Sequence, residues 1–270
     1  MDSNPNTPTF QYSNIPSLSS DRKAFFWSIA SLIFFAWFVL WLWGRSPYSR
    51  YLSHEQLGGI GLDDPSSVFL AIALYVAGWT LMTVAMMLPT TLPLLEIFRR
   101  LTARRRERLQ LLALLIAGYL SVWMGFGFVA HSADWILHEI VERSPWLEAH
   151  AWAIGVGTLL LAGGFQFSRL KYRCLDKCRA PLSFVMEHWR GRHDRRNAFW
   201  LGVNHGIFCV GCCWALMLLM FGLGVGNLGW MLALGAVMAI EKNLPWGRKL
   251  SAPVGLVLLA CGALIALKTF

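Results

Sequence analysis

Long apolar runs, separated by polar connections, are the feature that most limits how this chain can fold. Of its 270 residues, 56% are hydrophobic and 14% are charged, a balance too apolar for a soluble domain of this length. A helix needs about 20 apolar residues to cross a bilayer. The runs that reach or approach this length are residues 25–43, 68–88, 109–129, 151–167, 199–220, 228–240 and 253–267. We therefore predict an all-α, polytopic helical membrane protein with about seven transmembrane helices.

The basic residues between these runs fall on alternate connections. If the amino terminus is cytoplasmic, 20 of the 24 lysines and arginines lie on the inner side and 4 lie on the outer side. Positive charge concentrates in the cytoplasmic loops of membrane proteins, so the pattern predicts a cytoplasmic amino terminus. The distribution of the basic residues therefore suits a membrane protein better than a nucleic-acid-binding one, in spite of the net charge of +9. No nucleic-acid partner is predicted.

The chain divides into a polar tail and one apolar domain. Residues 1–24 are largely polar, with many Ser, Asn and Pro, which predicts a disordered cytoplasmic tail. Residues 25–270 contain all the apolar runs and predict a single transmembrane helical domain.

Two prolines, Pro89 and Pro93, follow the second apolar run. Proline removes a backbone donor, so it either ends a membrane helix or kinks it where neighbouring groups replace the lost bond. The sequence is compatible with both outcomes.

The fifth run carries four metal-ligating side chains on one helix face. At about 100° per residue, His205, Cys209 and Cys212 fall within an arc of roughly 60°, and Cys213 lies beside it. Thiolates are soft donors that favour Cu(I), while imidazole accepts copper or zinc. These side chains predict a face that binds a soft transition metal, with Cu(I) as the first choice and zinc as the alternative.

Two further pairs of side chains can complete such a site. The second and fifth runs cross in opposite directions, which predicts that Met86 lies at the depth of Cys209, with Met82 one turn away on the same face. Cys174 and Cys178 stand at i and i+4 on a basic cytoplasmic connection, where they can receive or deliver a metal. The alternative is an amphipathic helix on anionic lipid, with both cysteines as its apolar residues.

Glu241 and Lys242 follow the sixth run at its inner edge. Such a pair acts either as a gate or proton partner, or as a charged anchor that fixes a helix at the membrane surface. The anchor is the preferred interpretation.

Two alternatives to metal binding are open. The spacing Cys209-x-x-Cys212 also suits a membrane thiol-disulfide oxidoreductase, although a position near the bilayer midplane argues against access for a partner. Buried Cys and Met also serve as packing residues, as in a structural subunit of a larger membrane assembly. No catalytic residue is predicted.

Five motifs follow one another along the chain: Met86-Met87-Leu88-Pro89, then Phe165 to Lys171 with Cys174-x-x-x-Cys178-Arg179-x-Pro181, then His205-Gly206-x-x-Cys209-x-Gly211-Cys212-Cys213-Trp214, then Trp230-Met231 and Glu241-Lys242. Across about residues 70–250 this set resembles a bacterial family of predicted metal-binding integral membrane proteins. The resemblance implies a multi-pass protein of the bacterial inner (plasma) membrane that binds a metal ion. With the soft donors, it predicts Cu(I) transport or homeostasis, with a metallochaperone or another membrane protein as partner.

Overall fold

The computed structural model describes residues 16–45, 65–189, 194–223 and 228–269, and every regular element in these ranges is helical. This confirms the all-α prediction. Short 3-10 turns occupy Pro89–Thr91 and Gly247–Leu250. Residues 1–15 of the predicted disordered tail lie outside the described ranges, and the first helix begins at Pro16. The helices are α1 Pro16–Gly44, α2 Pro65–Met87, α3 Leu92–Leu101, α4 Arg108–Arg143, α5 Pro145–Ala149, α6 Trp152–Phe165, α7 Arg169–Arg179, α8 Pro181–His188, α9 Asp194–Leu223, α10 Leu228–Asn243 and α11 Ser251–Thr269.

Among the described residues, four helices are long and apolar enough to cross a membrane. Two bent pairs, α2 with α3 and α6 with α7, raise the number to six if each pair forms one span. The prediction of about seven spans is therefore wrong in its count. The difference is α10, which has 16 residues and is short of the length that a bilayer requires. The four spans are Lys23–Gly44, Arg108–Arg143, Asp194–Met220 and Gly247–Thr269.

The chain bends at the prolines after α2, where α2 ends at Met87 and α3 begins at Leu92. α2 and α3 meet at 43° across the turn that begins at Pro89. The hydroxyls of Thr90 and Thr91 donate to the carbonyl oxygens of Met87 and Leu88 at 2.7 and 2.8 Å. They thereby satisfy acceptors near the break in the helix, as membrane helices with proline require.

Large apolar side chains cover much of the outer surface. Trp27, Phe34, Phe128 and Leu267 are between 72% and 77% exposed. Water disfavours such large apolar surfaces, whereas lipid accepts them. The surface is therefore compatible with the predicted bilayer.

α9 is the central helix of the bundle and packs against α4, α6, α7 and α10. Its contact with α4 depends on two glycines. A Cβ atom on Gly118 would clash with the carbonyl group of Phe199, and one on Gly202 would clash with that of Leu115. Small residues that let two backbones approach closely are typical of packed membrane helices. This contact lies in the first half of α9, about two turns before Cys209.

An exposed ion pair joins the start of α4 to the start of α9. The Arg195 guanidinium donates to both carboxylate oxygens of Glu107, at 2.8 and 3.1 Å. These hydrogen bonds, together with the positive charge, lower the pKa of the Glu107 carboxyl below the 4.5 of an unperturbed glutamate. We expect an NMR titration to find this lowered pKa in the wild type and an ordinary pKa in Arg195→Gln.

Because the folded-state pKa of Glu107 is the lower one, the pair stabilises the fold above the unfolded-state pKa, and this contribution is lost as the pH falls through the folded-state value. Arg196→Gln, a change at the next exposed arginine, is the control and should leave the pKa of Glu107 lowered. A wild-type Glu107 that titrates like a free glutamate would contradict the ion pair.

Candidate metal centre

Four buried side chains follow one face of α9. His205, Cys209, Cys212 and Cys213 are each at most 3% exposed. The thiols of Cys212 and Cys213 donate to the carbonyl oxygen of Cys209 at 3.0 and 2.9 Å. These bonds hold three sulfur atoms within about one turn of α9. The predicted face therefore points into the interior of the protein.

α7 brings a second pair of thiols to this face. Cys178 of α7 is buried in the same apolar cluster as Cys209, Cys212 and Cys213 of α9. One turn earlier on α7, the Cys174 sulfur lies against Gly211, where an added Cβ atom would come within 2.7 Å of it. Both α7 cysteines are buried, so they are not the lipid-facing residues of a surface helix. The two predicted cysteine pairs thus belong to one cluster.

Lys242 of α10 and Tyr119 of α4 close the cluster from two other helices. The Lys242 ammonium donates to the Cys209 sulfur at 2.9 Å and lies 3.7 Å from the Cys213 sulfur. It also lies 3.5 Å from the Thr90 hydroxyl. The Tyr119 hydroxyl is 3.1 Å from the Cys209 sulfur. Cys209 therefore contacts a cation and a phenol, neither of which the sequence had placed at the site.

The interpretation of Glu241 and Lys242 as a membrane-surface anchor is wrong, because these side chains are only 2% and 6% exposed. Placing a charged lysine in an apolar environment costs free energy unless an anion or a hydrogen-bond acceptor lies beside it. This rule marks Lys242 as a residue of the site. No sequence pattern marks Tyr119, since its place depends on the close contact between α4 and α9.

Glu241 holds α7 in position. Its carboxylate accepts hydrogen bonds from the Lys171 ammonium at 2.8 and 2.9 Å and from the Ser251 hydroxyl at 2.7 Å. Its backbone carbonyl oxygen accepts a hydrogen bond from the Arg179 guanidinium. Lys171 lies near the start of α7 and Arg179 at its end. Both ends of α7 are therefore fixed to α10, and this sets the position of Cys178.

The remaining predicted ligands lie in the surrounding core. Met82 and Met86 are buried in the apolar cluster that also contains the α9 cysteines, and Met86 packs against Gly235 of α10. The His205 ring packs against Phe184 of α8, with 5.4 Å between the ring centroids. Among the described residues, nothing hydrogen-bonds to the buried Nδ1 of His205. The role of these three residues as ligands stays a prediction.

In the described part of the chain, no three or more His, Cys, Asp or Glu side chains are grouped so as to hold one metal ion. All six cysteines are free thiols, and Cys261 alone among them is exposed. Structural zinc sites use four N or S ligands in a tetrahedron. Thiol pairs are soft donors of the kind that Cu(I) prefers.

The fold and the site define a class of protein: a helical bundle with a buried thiol cluster, several of whose helices are apolar enough for a membrane. Residues 76–265 match the family PpoB2, described as a copper chaperone, and the chain belongs to this family. No curated protein and no solved structure matches the chain. The match confirms that the predicted soft-metal protein belongs to a copper-related family, and it covers every candidate ligand from Met82 to Cys213.

Proposed function

We propose that this protein carries Cu(I) as its cargo inside a membrane, binding it on the thiols that α7 and α9 share and passing it to a partner protein. The close approach of α7 to α9 carries the proposal, because it brings the Cys174 sulfur against Gly211 and buries Cys178 in one cluster with the α9 thiols. Soft donors from two separate helices therefore lie in one buried place. Membership of a copper chaperone family supports the choice of metal.

The other thiols extend the site along α9. Cys209 and Cys213 lie within one turn of Cys212, and Cys174 lies beside Gly211. An ion held by two sulfur atoms can exchange one of them for a neighbouring sulfur, so that it moves without becoming a free ion. A row of thiols suits this stepwise transfer better than one closed site does.

The membrane part of the proposal rests on the apolar spans and on the outward-facing aromatic and aliphatic side chains. The charge pattern of the sequence supports a position for α7 at the cytoplasmic side of a bacterial inner membrane. A metallochaperone or a second membrane protein would then exchange copper with Cys174 and Cys178 at that side.

A thiol-disulfide oxidoreductase is the second candidate function. Both thiol-disulfide exchange and copper transfer require a partner to reach a sulfur atom, and Cys174, Cys178, Cys209, Cys212 and Cys213 are all buried, so burial does not separate the two. The copper chaperone family favours copper. The hypothesis of a purely structural subunit differs from the proposal in one measurable property, which is copper binding by these thiols.

The test is Cu(I) binding to the purified, reduced protein under anaerobic conditions, in competition with a chromogenic Cu(I) chelator. We expect the wild type to bind Cu(I) stoichiometrically. The double variant Cys178→Ser plus Cys212→Ser should bind it at least about 100-fold more weakly, because both shared sulfur donors are removed.

Cys261→Ser is the matched control, since this exposed thiol of α11 lies apart from the buried cluster. It should bind copper like the wild type. Unchanged copper affinity in the double variant would refute the proposal, and a Cys209–Cys212 disulfide that forms reversibly in cells would favour the oxidoreductase.

A further inference from the structure

Lys242 brings a positive charge into the thiol cluster. Its ammonium group is buried, 2.9 Å from the Cys209 sulfur and 3.7 Å from the Cys213 sulfur. The hydroxyl oxygen of Thr90 lies 3.5 Å from the ammonium nitrogen and is its third hydrogen-bonding neighbour among the described residues. A buried cation is stable only when anions or strong acceptors surround it. The sulfur atoms of the cluster are therefore the counterpart of the Lys242 charge.

The carboxylate of Glu241, the preceding residue, does not neutralise the charge of Lys242. Glu241 directs its carboxylate to Lys171 and Ser251, and Lys171 also donates to the amide oxygen of Gln166. In the described part of the chain, Lys242 takes part in no ion pair with a carboxylate. The positive charge of Lys242 therefore acts on whatever occupies the thiol cluster.

We propose that Lys242 is a specificity-determining residue that makes the thiol cluster prefer a monovalent cation over a divalent one. The inference rests on the proposed function, since it assumes that the cluster binds Cu(I). Two thiolates and one ammonium carry a net charge of minus one. Cu(I) neutralises this charge, whereas a divalent ion such as Zn(II) leaves an uncompensated positive charge in a buried, apolar place.

The competing chemistry makes this discrimination useful. Thiolates bind zinc as well as copper, so sulfur donors alone do not separate the two metals. A fixed positive charge repels a divalent ion about twice as strongly as a monovalent one at the same position. Lys242 thereby acts without contacting the metal.

The experiment measures Cu(I) and Zn(II) affinity separately, each metal supplied alone and in competition with a chromogenic chelator, for the wild type and for Lys242→Leu. Leucine removes the charge and adds no donor that binds a metal. We expect the ratio of zinc affinity to copper affinity to rise at least about tenfold in the variant. A role limited to packing would change both affinities together and leave the ratio where it is.

Lys249→Leu is the matched control, because it removes one positive charge from an exposed position near the same end of α10. It should leave the ratio unchanged. Lys242→Gln provides a second neutral variant that can still hydrogen-bond to Thr90, so that the test does not depend on the folding of one protein.

The outcomes separate the two proposals. If the wild type binds no Cu(I), the proposed function fails and the selectivity fails with it. If the wild type binds Cu(I) and the neutral variants keep the wild-type ratio, only the role of Lys242 is overturned. A raised ratio in both neutral variants, with Lys249→Leu unchanged, supports the inference.

Discussion

Replacing Glu241 by alanine should destabilise the protein by about 3–5 kcal/mol, the usual cost of leaving one partner of a buried ion pair without the other. Lys171 is 0% exposed, and Glu241 is its ion-pair partner at 2.8 Å in the described part of the chain. Without the carboxylate, the ammonium group stays buried with the Gln166 amide as a neutral acceptor. Thermal unfolding in detergent, compared with that of the wild type, measures the effect.

Two further variants separate the charge from the packing. Adding Lys171→Met to Glu241→Ala should restore much of the stability, because both buried charges are then gone. Asp176→Ala breaks the exposed pair between α7 and Arg248 and should cost at most about 1 kcal/mol. If Glu241→Ala cost no more than Asp176→Ala, the Lys171–Glu241 pair would not be what fixes α7.

Loss of this pair should also make the Cys178 thiol more accessible. Lys171 and Arg179 hold α7 against α10, and Cys178 of α7 is buried in the same cluster as Cys212. In Glu241→Ala we expect faster alkylation of Cys178 by a maleimide, measured by mass spectrometry at a temperature where the variant is folded. Cys209 lies on α9 and should stay protected.

The second large effect is expected at the contact between α4 and α9. Gly118→Ala should be about 1–3 kcal/mol less stable than the matched variant Gly125→Ala, because the first overpacks the contact and the second does not. A Cβ atom on Gly118 would lie 3.0 Å from the carbonyl carbon of Phe199 and 3.1 Å from the nitrogen of Val203. These are backbone atoms, which cannot rotate away as a side chain can.

Gly125 lies on the same helix, and a Cβ atom there meets nothing within 4 Å. Both variants gain the same helix propensity from alanine, so their difference isolates the clash. Gly118→Ala should also weaken copper binding, since it displaces the neighbouring Tyr119 from Cys209. Equal melting temperatures for the two alanine variants would show that α4 and α9 are not packed as closely as described.

The part of the site that the sequence could predict lies on single helices. The 3.6-residue period places His205, Cys209, Cys212 and Cys213 on one face of α9, and the structure shows all four buried there. For the pair Cys174 and Cys178 the sequence leaves two interpretations, a metal site at the cytoplasmic mouth and the apolar residues of a helix on lipid. Their burial in one cluster with the α9 thiols could not be predicted, because the 62° bend between α6 and α7 determines where α7 lies.

The predicted number of spans also fails because it depends on contacts between distant parts of the chain. Apolar length alone makes residues 228–240 look like a membrane helix. In the structure, α10 is a short helix whose last turn carries the buried charges of Glu241 and Lys242. Those charges are stable there because Lys171 and the thiols surround them, and these partners are distant in sequence.

The sequence by itself determined that the protein is all-α, that its spans are apolar, and that soft donors occupy one face of α9. These properties follow from composition and helical periodicity, which are local. Only the tertiary structure decided that Cys178 is buried among the α9 thiols, that Lys242 and Tyr119 contact Cys209, and that Glu241 fixes α7. These contacts join helices far apart in the chain, and their partners are set by bends and close glycine contacts that no local pattern encodes.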